Sequence, residues 1–378
     1  MATEIKRVLY IFITLCVILT FALAVSRFTG SSDNDSTVSE SLSDDRSQNA
    51  SQVIAEQSEE TTDQSLVSGE ESNEYSGGES STSSEESQPE ESSEEDESSE
   101  EQSTAEGFPV NYIENNVTAS YIAVYNVTEG RYIYGKNQNE KCYPASLTKL
   151  VTALLAVKYL DENEIITVGE EIKRIGRGSS VAYLGVGYKM KLEVLLDAMM
   201  LPSGNDAAYT AAVAVGRKVL NNPNASVDDA LDSFYAIANE YVKSIGCTGT
   251  NIACPDGYHD DNHYTTAWDY VLISKEALKS PLISKVVKKK TASDTLADGA
   301  GVTYTNNNRL ITDTEYRSYW GIITGLKTGT TDEAGYCIAV SAKYNGVEMI
   351  IIVMKSSTAS SRYDDAVKLI SAAYGWFE

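Results

Sequence analysis

Ser146-Leu147-Thr148-Lys149 sets a hydroxyl three residues ahead of an amine, and the residues after it decide the fold. Leu150, Val151, Leu154, Leu155 and Val157 recur at helical spacing with one apolar face, so Ser146 lies at or near the first turn of a buried helix, just after Pro144. Two further segments follow in order, Ser203-Gly204-Asn205 and Lys327-Thr328-Gly329. Residues 192–200 read as a helix that stops at Leu201-Pro202, and a third helix starts with Asp206 and runs to Val219. The Ser203 segment is the turn between them. Residues 321–328 are β-rich and end in the Lys327 segment. Any one segment arises by chance in many chains. Together, in this order and in these contexts, they form a set.

The rest of the folded part begins near Gly107. Residues 120–125 read as a strand whose partner, 131–134, returns across Glu129-Gly130. Residues 160–281 carry few strand signals and read as a mostly helical subdomain. Residues 336–344 alternate apolar and small side chains, Asn345-Gly346 is a strong hairpin signal, and 347–354 form a buried strand. Residues 362–374 close in a helical pattern. Two strands early and three late imply an α+β class: an antiparallel five-stranded sheet flanked by helices, with the helical subdomain inserted.

The chemistry follows from side-chain reach. A serine hydroxyl is a poor nucleophile until a base takes its proton. Residues three apart share a helix face, so Lys149 reaches Ser146 Oγ. To act as that base near pH 7, Lys149 must be neutral, which burial and a nearby positive charge both favour. Lys327 is the candidate for that charge. The N–H of Ser146 supplies half of an oxyanion hole at the helix start, and Thr330 N–H is the choice for the other half. The Lys327-Thr328-Gly329 segment belongs on an edge strand facing the serine, where it pairs with an extended substrate and holds a carboxylate. Gly329 permits a close approach. Ser203 relays a proton to the leaving amine, and Asn205 holds the lysine or the substrate amide. Taken singly, Ser146 would pass as a helix cap, Ser203 as a turn residue and Lys327 as a strand-end charge.

The formal net charge of −25 belongs almost wholly to one segment. Residues 31–106 hold 24 acidic side chains and one base, Arg46, whereas 107–378 hold 30 acidic and 26 basic ones. Stretches such as Glu90-Glu91-Ser92-Ser93-Glu94-Glu95-Asp96-Glu97 have too little apolar surface to offset the entropy of ordering, so 26–106 read as a disordered, extended linker, either a tether across a polymer layer or a solubilising spacer. Ahead of it, residues 8–25 are apolar except for Thr14 and Thr20, with Lys6 and Arg7 on the near side. That length suits a bilayer-spanning helix of about 18–20 residues, with 1–7 cytoplasmic and the rest outside. Ala22-Leu23-Ala24 has the form of a signal-peptide cleavage site, so anchor and cleaved signal both stay open. Either one makes the catalytic part, 107–378, extracytoplasmic.

Five cysteines are present, Cys16 in the apolar run and Cys142, Cys247, Cys254 and Cys337 in the folded part. Cys247 and Cys254 could pair in a loop or remain small buried side chains; Cys337 belongs to the core. His259 and His263, the only histidines, sit in the polar loop Asp256-Gly257-Tyr258-His259-Asp260-Asp261-Asn262-His263. No Cys or His cluster has convincing metal-ligand spacing, and zinc in this loop is only a minor alternative. No metal, no cofactor and no nucleic-acid partner is expected.

Around the three segments run longer ones: Pro144-Ala145-Ser146-Leu147-Thr148-Lys149, Pro202-Ser203-Gly204-Asn205-Asp206-Ala207-Ala208, Gly325-Leu326-Lys327-Thr328-Gly329-Thr330-Thr331-Asp332-Glu333-Ala334-Gly335-Tyr336, and the His-containing loop through Thr265-Thr266-Ala267. Over roughly 107–378 the chain resembles the low-molecular-mass penicillin-binding proteins, the D-alanyl-D-alanine carboxypeptidases of the bacterial cell envelope. The resemblance implies a penicillin-recognising, β-lactamase/transpeptidase-like fold. It implies acylation of Ser146 by a peptidoglycan stem peptide ending in D-Ala-D-Ala, with loss of the terminal D-Ala, then hydrolysis by water. It implies Lys149 as proton acceptor, Ser203 as an aid to proton transfer, Lys327 as a substrate-binding residue, and β-lactams as covalent mimics. Many members carry an all-β domain after the catalytic one and a C-terminal amphipathic anchor. Here residues 330–378 suffice to finish the sheet, so membrane attachment is expected through the N-terminal segment.

Two other readings share these features. A class A-like β-lactamase usually has Asp in the middle of the second segment, where this chain has Gly204, and a glutamate that activates the deacylating water, for which no signature stands out. A non-enzymatic β-lactam or peptidoglycan sensor needs a cytoplasmic output domain, and only residues 1–7 are expected on that side.

Overall fold

The structure is a computed structural model that describes residues 104–376. The expected cytoplasmic segment 1–7, the apolar run 8–25 and the acidic stretch 26–103 lie outside the described residues. Among those described, no helix is long and apolar enough to cross a membrane.

One antiparallel sheet organises the chain. Its strands are β1 (Tyr121–Asn126), β2 (Arg131–Lys136), β7 (Ile323–Thr331), β8 (Gly335–Tyr344) and β9 (Val347–Ser356), in the order β2-β1-β9-β8-β7. The early hairpin and the late meander therefore meet at β1 and β9, with Val124 opposite Ile351. Asn345 (φ 48) and Gly346 (φ 85) turn β8 into β9, the left-handed pair a tight hairpin needs.

Both faces of the sheet are covered, which is why β9 reads as an unbroken apolar run. Ile122, Val124, Ile338, Val340, Ile351 and Val353 point to one side. There they meet Ile113 of helix α1 (Val110–Asn116) and Tyr363, Ala366, Leu369 and Ile370 of the last helix, Ser361–Ala373. Ala123, Cys337, Ala339, Ile350, Ile352 and Met354 point to the other side, into the larger core of the helical lobe.

That lobe contains α2 (Lys149–Tyr159), α3 (Leu192–Met200), α4 (Asn205–Val219), α5 (Val227–Ser244), α6 (Ala267–Lys279) and α7 (Pro281–Val287). Lys149 to Ala156 are all buried, so α2 is the apolar spine of the lobe. Thr266 and Ser280 cap α6 and α7 by accepting from Asp269 N and Ile283 N.

Three features depart from the sequence reading. A two-residue pair, β3 (Ile166–Thr167) with β4 (Lys189–Met190), interrupts the helical region. A hairpin of β5 (Thr291–Thr295) and β6 (Gly301–Thr305) follows α7. Its alternation was illegible because Ala292 and Tyr304 are its only fully buried side chains. The Lys327 segment does not end its strand: β7 runs on to Thr331, still paired with Gly335. Cys142, Cys247, Cys254 and Cys337 are all free and buried, so Cys247 and Cys254 take the unpaired alternative. Cys247 Sγ lies 3.6 Å from Asp269 O and Cys254 Sγ 3.2 Å from Tyr258 O.

Candidate active site

The chain enters the site through a strained turn. Ala145 has φ 47, a left-handed value that costs a non-glycine residue roughly 1–2 kcal/mol. It opens a single 3₁₀ turn, Ala145–Thr148, and the α-helix begins only at Lys149. Ser146 therefore stands on the tighter turn ahead of α2 rather than within it. Two glycines make this geometry possible. A Cβ on Gly329 would meet Pro144 O at 2.9 Å and Ser146 N at 3.0 Å, so β7 lies directly against the serine turn. A Cβ on Gly257 (φ +85) would lie 1.8 Å from Ala145 O and 2.8 Å from Ser146 N.

Lys149 is wholly buried, with Nζ 3.0 Å from Ser146 Oγ. Nζ also donates to Asn205 Oδ1 and to the backbone oxygen of Asp256, each at 2.7 Å. Burial lowers its pKa to about 8, against the opposing pull of Asp256, Cys254 and Asp206. The partner count suits a base. A neutral amine keeps two N–H donors, one for each carbonyl oxygen, and its lone pair is left facing Ser146 Oγ.

The turn between α3 and α4 supplies the far side. Ser203 has φ 66 and is 3% exposed, and its Oγ makes no hydrogen bond within the described residues. Asn205 spans the site: Oδ1 accepts from Lys149, and Nδ2 donates to Ser179 Oγ at 2.8 Å. Next to it, the buried Asp206 carboxylate accepts from Ala182 N and Leu184 N, both at 2.9 Å, which pins residues 180–184 alongside the turn.

β7 is an edge strand, as its place at the end of the sheet order shows. Lys327 is 1% exposed, its Nζ donates to Thr328 O at 3.0 Å, and within the described residues no carboxylate pairs with it. Burial first, then Lys149, then Arg362 push its pKa well below the ordinary ammonium range. Thr328 Oγ1 donates to Asn307 Oδ1 at 2.9 Å. Arg362, at the head of α9 (Ser361–Ala373, preceded by α8, Arg309–Thr312), donates through Nη1 to Gly329 O at 3.0 Å and Thr330 Oγ1 at 2.8 Å.

The structure thus brings Ser146, Lys149 and Asn205 into direct contact, with Gly329 packed on the serine turn and Lys327 within electrostatic reach of Lys149. Sequence reasoning missed Asp256, Gly257, Ser179, Asn307 and Arg362. Asp256 contributes a backbone oxygen, which no residue type announces. Only the Asp256-Gly257 dipeptide, a turn signal, could have drawn notice.

The D-alanyl-D-alanine carboxypeptidase family matches residues 109–358. The chain belongs to that family. It is 29% identical over 255 residues to D-alanyl-D-alanine carboxypeptidase DacF of Bacillus subtilis, covering 66% of this chain and 60% of that protein. It is 29% identical over 271 residues to DacA of Escherichia coli, covering 68% of this chain and 61% of that protein. The chain thus spans about three-fifths of the length of these curated relatives. Among solved structures, the Streptomyces K15 DD-transpeptidase superposes with a TM-score of 0.62 at 27% identity, over 68% of this chain and 98% of that one. Penicillin-binding protein D2 of Listeria monocytogenes, in its cefotaxime-bound form, superposes with a TM-score of 0.55 at 27% identity, over 68% of this chain and 98% of that one. The five-stranded antiparallel sheet with its inserted helical lobe is the penicillin-recognising fold of these neighbours.

Proposed function

We propose that this protein is a serine D-Ala-D-Ala carboxypeptidase acting on peptidoglycan stem peptides. One observation carries the reading: a wholly buried Lys149 stands 3.0 Å from Ser146 Oγ with two carbonyl oxygens for its remaining protons. Lys149 takes the hydroxyl proton as Ser146 Oγ attacks the carbonyl carbon of the penultimate D-Ala. The N–H groups of Ser146 and Thr330 receive the developing oxyanion. The C–N bond breaks as Ser203 gives its hydroxyl proton to the departing amine and takes up the proton held by Lys149, and the terminal D-Ala leaves. Water then hydrolyses the ester on Ser146. Lys327, with Thr328, Gly329 and Thr330 on its edge strand, receives the terminal carboxylate, an anion that favours the charged form of its buried, unpaired amine. Asn205 holds the base and retains a second amide N–H for the substrate backbone. A β-lactam presents a carboxylate and a strained amide to the same groups and acylates Ser146.

Such a substrate places residues 107–378 outside the cytoplasmic membrane. The apolar run 8–25 would attach the catalytic domain to the membrane or export it, and the acidic stretch 26–106 would give it reach.

The test is incubation with penicillin and with a diacyl-Lys-D-Ala-D-Ala peptide. A covalent adduct on Ser146 and release of D-Ala are expected, both lost in Ser146→Ala. Rapid turnover of penicillin with no D-Ala release would replace this reading with a β-lactamase.

A further inference from the structure

Thr148 stands between nucleophile and base in sequence, yet no step above uses it. It is 0% exposed, and its Oγ1 donates to Ala145 O at 2.7 Å. The same oxygen lies 2.7 Å from Nε2 of His263, itself 2% exposed. At the other side of that ring, Nδ1 accepts from Ala253 N–H at 3.1 Å. An accepting Nδ1 carries no proton, so the ring proton sits on Nε2 and is donated to Thr148 Oγ1. Burial supports this neutral form by lowering the His263 pKa to about 4. The result is a buried relay of three hydrogen bonds, from Ala253 N–H through His263 and Thr148 to the carbonyl of Ala145.

Where the relay ends is what gives it meaning. Ala145 C=O and Ser146 N–H are opposite ends of one peptide group, and that group is planar. A clamp on the carbonyl therefore fixes the direction of the N–H. Ala145 needs such a clamp, because its φ of 47 is a conformation a non-glycine residue leaves unless held. Gly257 packs so closely on the same carbonyl that a Cβ there would lie 1.8 Å from its oxygen. Zinc binding by His263 is excluded by the same geometry, since both ring nitrogens are committed within the protein.

We propose that His263 and Thr148 are positioning residues that aim the Ser146 N–H into the oxyanion hole by holding the carbonyl of the same peptide plane. The inference rests on the acyl-transfer reading above and extends it to two residues that never touch substrate. His263→Asn keeps an acceptor for Ala253 N–H and is too short to reach Thr148. Thr148→Val keeps the shape and removes the hydroxyl, whereas Thr148→Ser keeps the hydroxyl.

The experiment is stopped-flow acylation by penicillin, which separates the dissociation constant of the first complex from the acylation rate constant. Removing an oxyanion donor outright costs about 10²–10³ in rate, so losing its aim is expected to cost Thr148→Val about 10–100-fold in the acylation rate constant. The dissociation constant is expected to change less than about threefold, and Thr148→Ser to stay within about threefold of wild type. His263→Asn is expected to slow acylation on its own and to add nothing in the Thr148→Val background, because it acts through Thr148. The proposal is overturned if folded Thr148→Val acylates within threefold of wild type, if Thr148→Ser is as slow as Thr148→Val, or if the loss falls on the dissociation constant. A wild-type protein that forms no adduct would instead remove the acyl-transfer reading, and this inference with it.

Discussion

Gly257→Ala puts a single methyl group against the Ser146 turn, where backbone atoms leave it no room. Gly257 has φ +85, so alanine there carries about 1–2 kcal/mol of backbone strain whatever surrounds it. The larger effect is contact. The new Cβ would lie 1.8 Å from Ala145 O and 2.8 Å from Ser146 N, both backbone atoms that no rotamer change can move aside. Carbon makes ordinary non-bonded contacts at about 3.5–4.0 Å, so one chain must retreat by more than about 1 Å. The same movement stretches the 2.7 Å bond from Lys149 Nζ to the neighbouring Asp256 O, which loosens base and nucleophile together. A misplacement of about 1 Å costs on the order of 10²-fold in rate, equivalent to about 2.7 kcal/mol of barrier. The second-order constant for penicillin acylation should therefore fall about 100-fold. A matched control separates strain from collision: Gly130, at φ +66 in the β1–β2 turn, would bring its Cβ no closer than 3.8 Å to Tyr125 Oη. Gly130→Ala should lose about 1–2 kcal/mol in urea unfolding and acylate as wild type. If Gly257→Ala folds and acylates within threefold of wild type, the close packing of this loop on the serine turn does not govern reactivity.

The acylation rate should follow ionisation of Lys149, rising with pH to a plateau above a midpoint of about 8. Only the neutral amine accepts the proton, so each unit below that midpoint should cost about tenfold. A flat profile between pH 5 and 9 would exclude Lys149 as the base. Lys327→Met should raise thermal stability at pH 7, because it replaces a buried amine whose charge is opposed by burial, Lys149 and Arg362 and that has no acidic partner within the described residues. The same change should lower kcat/KM for a carboxylate-terminated peptide about 10–100-fold, the value of one charge-assisted hydrogen bond, and unchanged kcat/KM would refute carboxylate binding at Lys327.

Much of this was legible because it depends on periodicity and local chemistry. The strand signals at 131–134 and 347–354, the helix at 192–200 and the Asn345-Gly346 turn each appear as elements of the structure with small changes at their ends. The order of the three segments placed Ser146, Ser203 and Lys327 on a turn, a turn and an edge strand without long-range information. What stayed hidden was carried by backbone atoms and distant loops. Asp256 acts on Lys149 from 107 positions away through its carbonyl, and Arg362 reaches Gly329 from 33 positions away. Acceptors contributed by the main chain, such as Asp256 O beside Lys149, leave no trace in composition.

Neighbours separate two chemically identical side chains, Lys149 and Lys327. Lys149 has three oxygens around Nζ, two of which satisfy the N–H groups that remain after deprotonation, so its neutral form is fully hydrogen-bonded and its lone pair is directed. Lys327 has one carbonyl oxygen and faces two other cations, Lys149 and Arg362. Burial and those two cations favour its neutral form, and any anion that enters favours its charged form. Burial alone would lower both pKa values alike. The partners are what separate them: acidic neighbours hold Lys149 at about 8, within reach of proton exchange near neutrality, whereas Lys149 and Arg362 oppose the charge on Lys327 until an anion enters to restore it.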